Sequence, residues 1–330
     1  MGISHNRLGT IVALSAFALP ASGFASGLGA TRDARLANLA RRGTNYLLSA
    51  ELDDGGWAFD SRAKKRADNS SGLVAEALLT AYEQSGDDSY LKMADGYARI
   101  LAAQFENAPG VLPFKPDIEF LVRMSEVGGN EAYAAIATKW FEVIKRTSPT
   151  GAAEVARIRT GRAGDPSITG YDVALAIRAA LTVGERDYAY ALANAVLREQ
   201  AKWLVEPGGT FGTISRAALL DALLSLDSKR YGEAIARLQK DLIAEQGANG
   251  SWRNNETQAT AYVVRALAQL PDAATRRAAK SGSAWLSRTV LPNGRWAHFN
   301  DGLPEPFVGD VLSEVQAETL TALIYASRIE

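Results

Sequence analysis

Cysteine is absent from the 330-residue chain, and histidine occurs only twice. No disulfide framework, thiolate metal site or cysteine nucleophile is therefore available, and stability must come from a sizeable packed core. Charge of one sign is also lacking, since 36 Lys and Arg stand against 37 Asp and Glu. That balance argues against a nucleic-acid surface or a polybasic membrane tether. The apolar stretch from Leu8 to Leu19 is shorter than the roughly 20 residues of a membrane-spanning helix. It follows Arg7 and ends near the small-residue site Gly23-Phe24-Ala25, so residues 1–25 read as an export signal. The mature chain is expected to begin near Ser26, to lack a membrane span, and to reside in the periplasm or outside the cell. His298 is then its sole histidine.

Convincing strand alternation is scarce as well. What is present is helical i, i+3, i+4 periodicity, broken by short Gly, Pro, Asn and Asp segments. The segments pair as 34–50 with 70–85, 88–106 with 116–127, and 130–148 with 168–183. The remaining pairs are 186–204 with 212–226, 229–246 with 256–270, and 273–291 with 311–328. Local signals fit these limits. Ser70 or Ser71 caps a helix that Gly86 stops, and Pro116-Asp117 suits a first turn, where proline forfeits a donor that has no helical partner. Six hairpins predict an all-α (α/α)6 toroid over residues 26–330, with 149–167 as an arginine-rich insertion or lid loop.

One phrase recurs: Asp54-Gly55-Gly56-Trp57, Asn249-Gly250-Ser251-Trp252 and Asn293-Gly294-Arg295-Trp296, with a degraded copy at Gly209-Thr210-Phe211. Such repeats signal helical hairpins that bury their apolar faces against neighbouring copies. Leu242-x3-Gln246-x3-Gly250-x-Trp252 resembles the glutamine–tryptophan repeat of terpenoid cyclases such as squalene–hopene cyclase, within the terpenoid cyclase and protein prenyltransferase toroid superfamily. Leu47-x3-Glu51-x3-Gly55-x-Trp57 and Leu286-x3-Val290-x3-Gly294-x-Trp296 keep the spacing and change the polar residue. The resemblance implies the fold. It does not extend to the chemistry, because the chain has no Asp-x-Asp-Asp acid motif and cannot assemble the Asp/Cys/His zinc set of prenyltransferases. Ala67-Asp68-Asn69 with Tyr82-x3-Gly86-Asp87-x2-Tyr90-Leu91 loosely resembles toroidal pectate lyases.

In a toroid the second helix of each hairpin lines the inner wall, and the preceding loops converge on one mouth. Those loops and helix starts carry Asp60, Asp68, Lys115, Tyr171, Asp172, Glu256, His298, Asp301 and Glu314. The residues expected to move protons are His298, Tyr171 and Asp172, with Asp68, Asp172 and Glu314 as the carboxylates a hydrolase would need. Lys115, Arg159, Arg162 and Arg216 are the expected neutralisers of substrate charge, Trp57 and Trp296 the expected aromatic lining, and Asp60 and Glu256 further polar contacts. Glu314 and Glu318, four apart on the last helix, share a face and can divide acid and base roles if that face is inward. The expected activity is a lyase or hydrolase for an acidic polysaccharide. The alternatives are a non-catalytic toroid binding a small molecule or a protein, and a cyclase-like protein without the acid motif. No metal ligand set is assigned; calcium is the candidate cation for a lyase, where an enediolate must be neutralised.

Overall fold

The computed structural model describes residues 33–203, 211–298 and 310–329, with the side chains of 201 and 203 excepted. The expected export signal, Gly209-Thr210 of the degraded repeat, and Asp301 lie outside them. The helices run α1 (Ala34–Ser49), α2 (Ser71–Ser85), α3 (Asp88–Asn107), α4 (Lys115–Gly128) and α5 (Glu131–Thr147). They continue as α6 (Gly151–Gly161), α7 (Thr169–Thr182), α8 (Arg186–Arg198), the single turn α9 (Gln200–Trp203) and α10 (Gly212–Asp227). Last come α11 (Gly232–Ala244), α12 (Thr257–Leu267), α13 (Ala273–Arg288) and α14 (Ser313–Ala326). Among the described residues the only strand-like pairings are two isolated bridges, Ala58 with Arg66 and Asp60 with Leu312.

Six helices form a closed inner ring, α2, α4, α7, α10, α12 and α14 in order, with α14 packed back on α2. Outside them lie α1, α3, α5, α8, α11 and α13. The inner helices bury residues almost all round, as α10 does from Gly212 to Leu223, whereas α1 and α11 bury only a stripe. This is the pattern of a wall packed on both faces against an outer layer exposed on one. The expected (α/α)6 toroid is the observed architecture.

The tryptophan repeat is the joint of the hairpins. Each indole donates to the carbonyl ten residues upstream on the outer helix: Trp57 to Leu47 at 2.9 Å, Trp252 to Leu242 at 2.6 Å and Trp296 to Leu286 at 2.7 Å. Those carbonyls lie in the last turns, where helical partners run out. The tryptophan backbone N–H is taken by the following inner helix, through Ser71 Oγ, Thr260 Oγ1 and Gln316 Oε1. Gln246 donates to Gly250 O at 3.0 Å and to Ala278 O at 2.9 Å, tying its hairpin to the next.

The glycine of the repeat faces the outer helix of the following hairpin. Gly250 has φ +96°, and a Cβ there would lie 2.5 Å from Ser281 O of α13. Gly294, at φ +82°, is pressed the same way against Arg42 of α1. Arg42 also donates to Pro292 O at 2.6 Å, so the last repeat grips the first helix and the ring is closed by the same device that builds it.

The arginine-rich stretch 149–167, expected as an insertion or lid loop, carries the helix α6 rather than a plain loop. Thr150 caps it by accepting from Ala153 N–H, and Val155 and Ile158 are buried one turn apart. Gly151 allows α6 to touch the backbone of α8, since a Cβ would lie 2.5 Å from Leu192 N. The arginines masked this short apolar stripe in the sequence.

Candidate active site at the mouth of the ring

The N-terminal ends of the inner helices surround one opening of the ring. Tyr171, in the first turn of α7, meets Tyr262 of α12 edge to face, with ring centroids 5.6 Å apart and hydroxyls 3.3 Å apart. Helix α10 lies between α7 and α12, so this contact spans the lumen. The Tyr262 hydroxyl donates to Glu318 Oε1 of α14 at 2.6 Å. Glu314, one turn nearer the mouth, stands close enough to this chain for its charge to act on Glu318 and Tyr171. The inward face of α14 is thus the one bearing both glutamates.

Burial sets the protonation of this chain. Loss of solvent pushes the Glu314 carboxyl up to about 7. Burial, followed by the neighbouring Glu314, raises Glu318 well above the ordinary carboxyl range. Tyr171 and Tyr262 are raised by burial and then by the Glu318 charge, so both remain phenols. At neutral pH the cluster holds protons and contains one group, Glu314, poised to gain or lose one.

Beside the cluster a groove of about 280 Å³ runs between α4, α6 and α7, lined by Phe114, Lys115, Arg157, Arg162, Asp172 and Leu175. Arg162 donates to Asp172 at 2.6 Å, and Lys115 lies 3.5 Å from Glu154, whose carboxylate also takes two bonds from Arg157. Three cations face two carboxylates, leaving one positive charge in the groove. Burial lowers the Lys115 ammonium. Arg162 keeps 47% of its side chain exposed at the groove while paired with Asp172.

Below the mouth the lumen is crossed by ion pairs. Arg123 holds Glu76 and Glu83; Arg178 holds Glu119 with two bonds and Asp221 at 2.5 Å; Arg265 reaches Asp221 at 3.0 Å. The arginines pull Glu119 and Asp221 below their ordinary range against the upward push of burial. Only about 60 Å³ remains open between these side chains. That is room for a few waters, whereas ligand pockets measure about 300–1,000 Å³. Of these two spaces the groove beside the mouth is the larger.

Of the residues expected from the sequence, the structure brings Tyr171, Asp172, Glu314, Lys115 and Arg162 to this place. Trp57 and Trp296 do not line it: both have no exposed surface, because each fills a hairpin joint. Arg216 of α10 is buried against Glu245 at the end of α11, and Glu256 is buried against Arg253 in the joint between α11 and α12. Arg159 pairs with Glu199 on the outer side of α6. Asp68 is 75% exposed beside Arg66, and Asp60 shares Arg62 with Asp310. His298 is buried, its backbone N–H donating to Asp310 O at 2.8 Å. No group of three candidate metal ligands gathers among the described residues. Tyr262 and the ion-pair residues were not singled out from the sequence. Their signal was a lone charge or phenol in the middle of an otherwise apolar, alanine-rich inner helix.

No protein-family model matches the sequence, and comparison with curated proteins finds no similar one. Solved structures do match. The α-1,6-mannanase of Salegentibacter sp. HEL1_6, bound to α-1,6-mannotetrose, superposes with a TM-score of 0.66 at 14% identity over 89% of this chain and 99% of its own. The type II terpene cyclase MstE from Scytonema, bound to geranylgeranyl dihydroxybenzoate, gives 0.63 at 15% over 89% and 97%. A polysaccharide lyase gives 0.63 at 15% over 89% and 96%. The fold is that of the α/α toroids. At these identities the likeness carries the fold alone, and the chemistry must be argued from the mouth.

Proposed function

We propose that this toroid is an exported enzyme that cleaves an acidic polysaccharide at the mouth of the ring, by β-elimination beside a uronate carboxylate. The observation that carries the reading is Glu314, a carboxyl titrating about 7 and set against the Tyr171–Tyr262–Glu318 chain, next to a groove of net positive charge. Lys115 and Arg162 hold the uronate carboxylate and stabilise the charge that develops when the adjacent carbon loses its proton. Glu314 takes that proton, and Tyr171, kept as a phenol, donates to the departing glycosidic oxygen. The mannanase and polysaccharide lyase among the similar folds support a glycan substrate. The cyclase alternative asks for a large apolar cavity and is disfavoured by a lumen of about 60 Å³ crossed by charge.

The test is purified protein on panels of polyuronates and neutral polysaccharides, following ultraviolet absorbance of unsaturated ends together with new reducing ends. Both should appear on polyuronates, and Glu314→Gln should lower kcat by about 10²- to 10⁴-fold. Reducing ends without unsaturation would redirect the chemistry to hydrolysis. Silence on every substrate would favour a binding toroid.

A further inference from the structure

The lumen below the mouth contains polar atoms that the ion pairs leave unanswered. Glu76 Oε1, Glu318 Oε2 and Arg265 Nε are buried with no hydrogen-bond partner, and all three side chains line the same cavity of about 60 Å³. Buried polar atoms are almost always paired by protein or by ordered water. A polar cavity of this size holds water, and three unanswered groups converging on it supply the partners that such water needs. Glu76 is the sixth residue of α2 and Glu318 the sixth of α14, so the two carboxyls stand at one level on adjacent inner helices.

We propose that Glu76 and Glu318 form one buried proton-holding centre on neighbouring helices of the inner wall, joined by water in the cavity they both line, in which Glu76 replaces the proton that Glu318 passes to the mouth. Glu318 gives its proton to Tyr262 as Tyr262 passes its own to Tyr171, which has given one to the departing oxygen, leaving a carboxylate at Glu318. A bridging water then protonates Glu318 while taking the proton of Glu76. The Glu76 carboxylate is held by Arg123 and regains a proton from the opposite end of the ring, where Glu83 and Arg265 keep 18% and 20% of their side chains exposed. The groups that face Glu76 are Arg123 and Glu119 from α4, Arg178 from α7, Asp221 from α10, Arg265 and Tyr262 from α12, and Glu318 and Tyr325 from α14. Burial outweighs Arg123 and sets Glu76 at about 7, so both carboxyls carry protons in mildly acidic solution.

The use of this proton at the mouth rests on the proposed reaction; the coupling itself does not. Infrared spectra of the substrate-free full chain, recorded across pH in H2O and D2O, report the carbonyl stretch of protonated carboxyls. In the wild type such a band should persist to neutral pH. Both arms are read in a Glu314→Gln background, which silences the other carboxyl titrating about 7; there Glu76→Gln should remove the remaining component at about 7 and lower the Glu318 midpoint by about one pH unit, because a like charge disappears. Glu318→Gln should lower the Glu76 midpoint by an equal amount, since coupling is reciprocal. If Glu76→Gln does not fold, the Glu318→Gln spectrum decides. Midpoints that ignore the partner's substitution, or no protonated carboxyl at about pH 6, overturn the proposal. Inactivity on polysaccharides with coupled midpoints would instead remove only the assigned reaction.

Discussion

Glu76 shows how much one side chain depends on its surroundings. In the unfolded chain it titrates near the ordinary 4.5, and in the folded chain about 7, because burial disfavours its charge more than Arg123 restores it. The folded state therefore holds more protons between these values, so this stabilisation is complete below about 4.5 and is lost as pH rises through 7. At about 1.36 kcal/mol per pH unit, the loss reaches at most about 3 kcal/mol. Glu119 and Asp221 work in the opposite sense: Arg178 and Arg265 depress them, and their contribution is lost as pH falls through their folded values. Urea unfolding should thus show stability declining from about pH 5 to pH 8, with a flatter decline in Glu76→Gln. An equal slope in the variant would sink the assignment. The repeat tryptophans were legible from sequence alone because their partners lie ten residues away on the same hairpin. Tyr262 and Glu318 were not, because each is given its role by a helix distant in the chain.

At the scale of elements, helix limits followed from caps and breaks that act within a turn. Gly86 ends α2 with φ +69°, Asp87 caps α3 and Pro116 sits in the first turn of α4. Helix α6 escaped notice because only two apolar side chains mark its inner face, and its seating on α8 depends on the missing Cβ of Gly151. Gly151→Ala should force the two helices apart and cost about 1–3 kcal/mol in denaturant unfolding. Gly161→Ala, where a Cβ would meet nothing within 4 Å, should change stability little. Equal effects at the two positions would show that α6 is not packed as described. Because Glu154 of α6 anchors Lys115, loss of that packing should also weaken any anion held in the groove.

For the whole molecule, closure is the decisive property. Each hairpin leans on the next, and the last leans on the first through α14 against α2, Arg42 on Pro292 and Gly294 under α1. An open stack would tolerate removal of its end copy, since each repeat then contacts only its neighbours. A ring has no end copy. A chain ending at Leu270, without α13 and α14, exposes the buried faces of both α1 and α12 and removes Glu314 and Glu318 from the axis. We expect it to lose the cooperative thermal transition of the full chain; retention of that transition would mean the hairpins are held by local contacts instead.

Apart from α6, the sequence by itself determined the helices of the six hairpins, their pairing and the joints between them, because periodicity, caps and the glycine–tryptophan turns all act over about ten residues or fewer. It also excluded thiol chemistry and the cyclase acid motif outright. Only the tertiary structure decided which face of α14 looks inward, that Tyr171 and Tyr262 meet past the intervening α10, and that the lumen is crossed by ion pairs while the mouth stays open. Those outcomes depend on where the ring closes, and closure places residues 91 and 147 positions apart, Tyr171 with Tyr262 and with Glu318, around one axis. Protonation was decided there as well, since burial shifts a carboxyl only after distant helices have excluded its water.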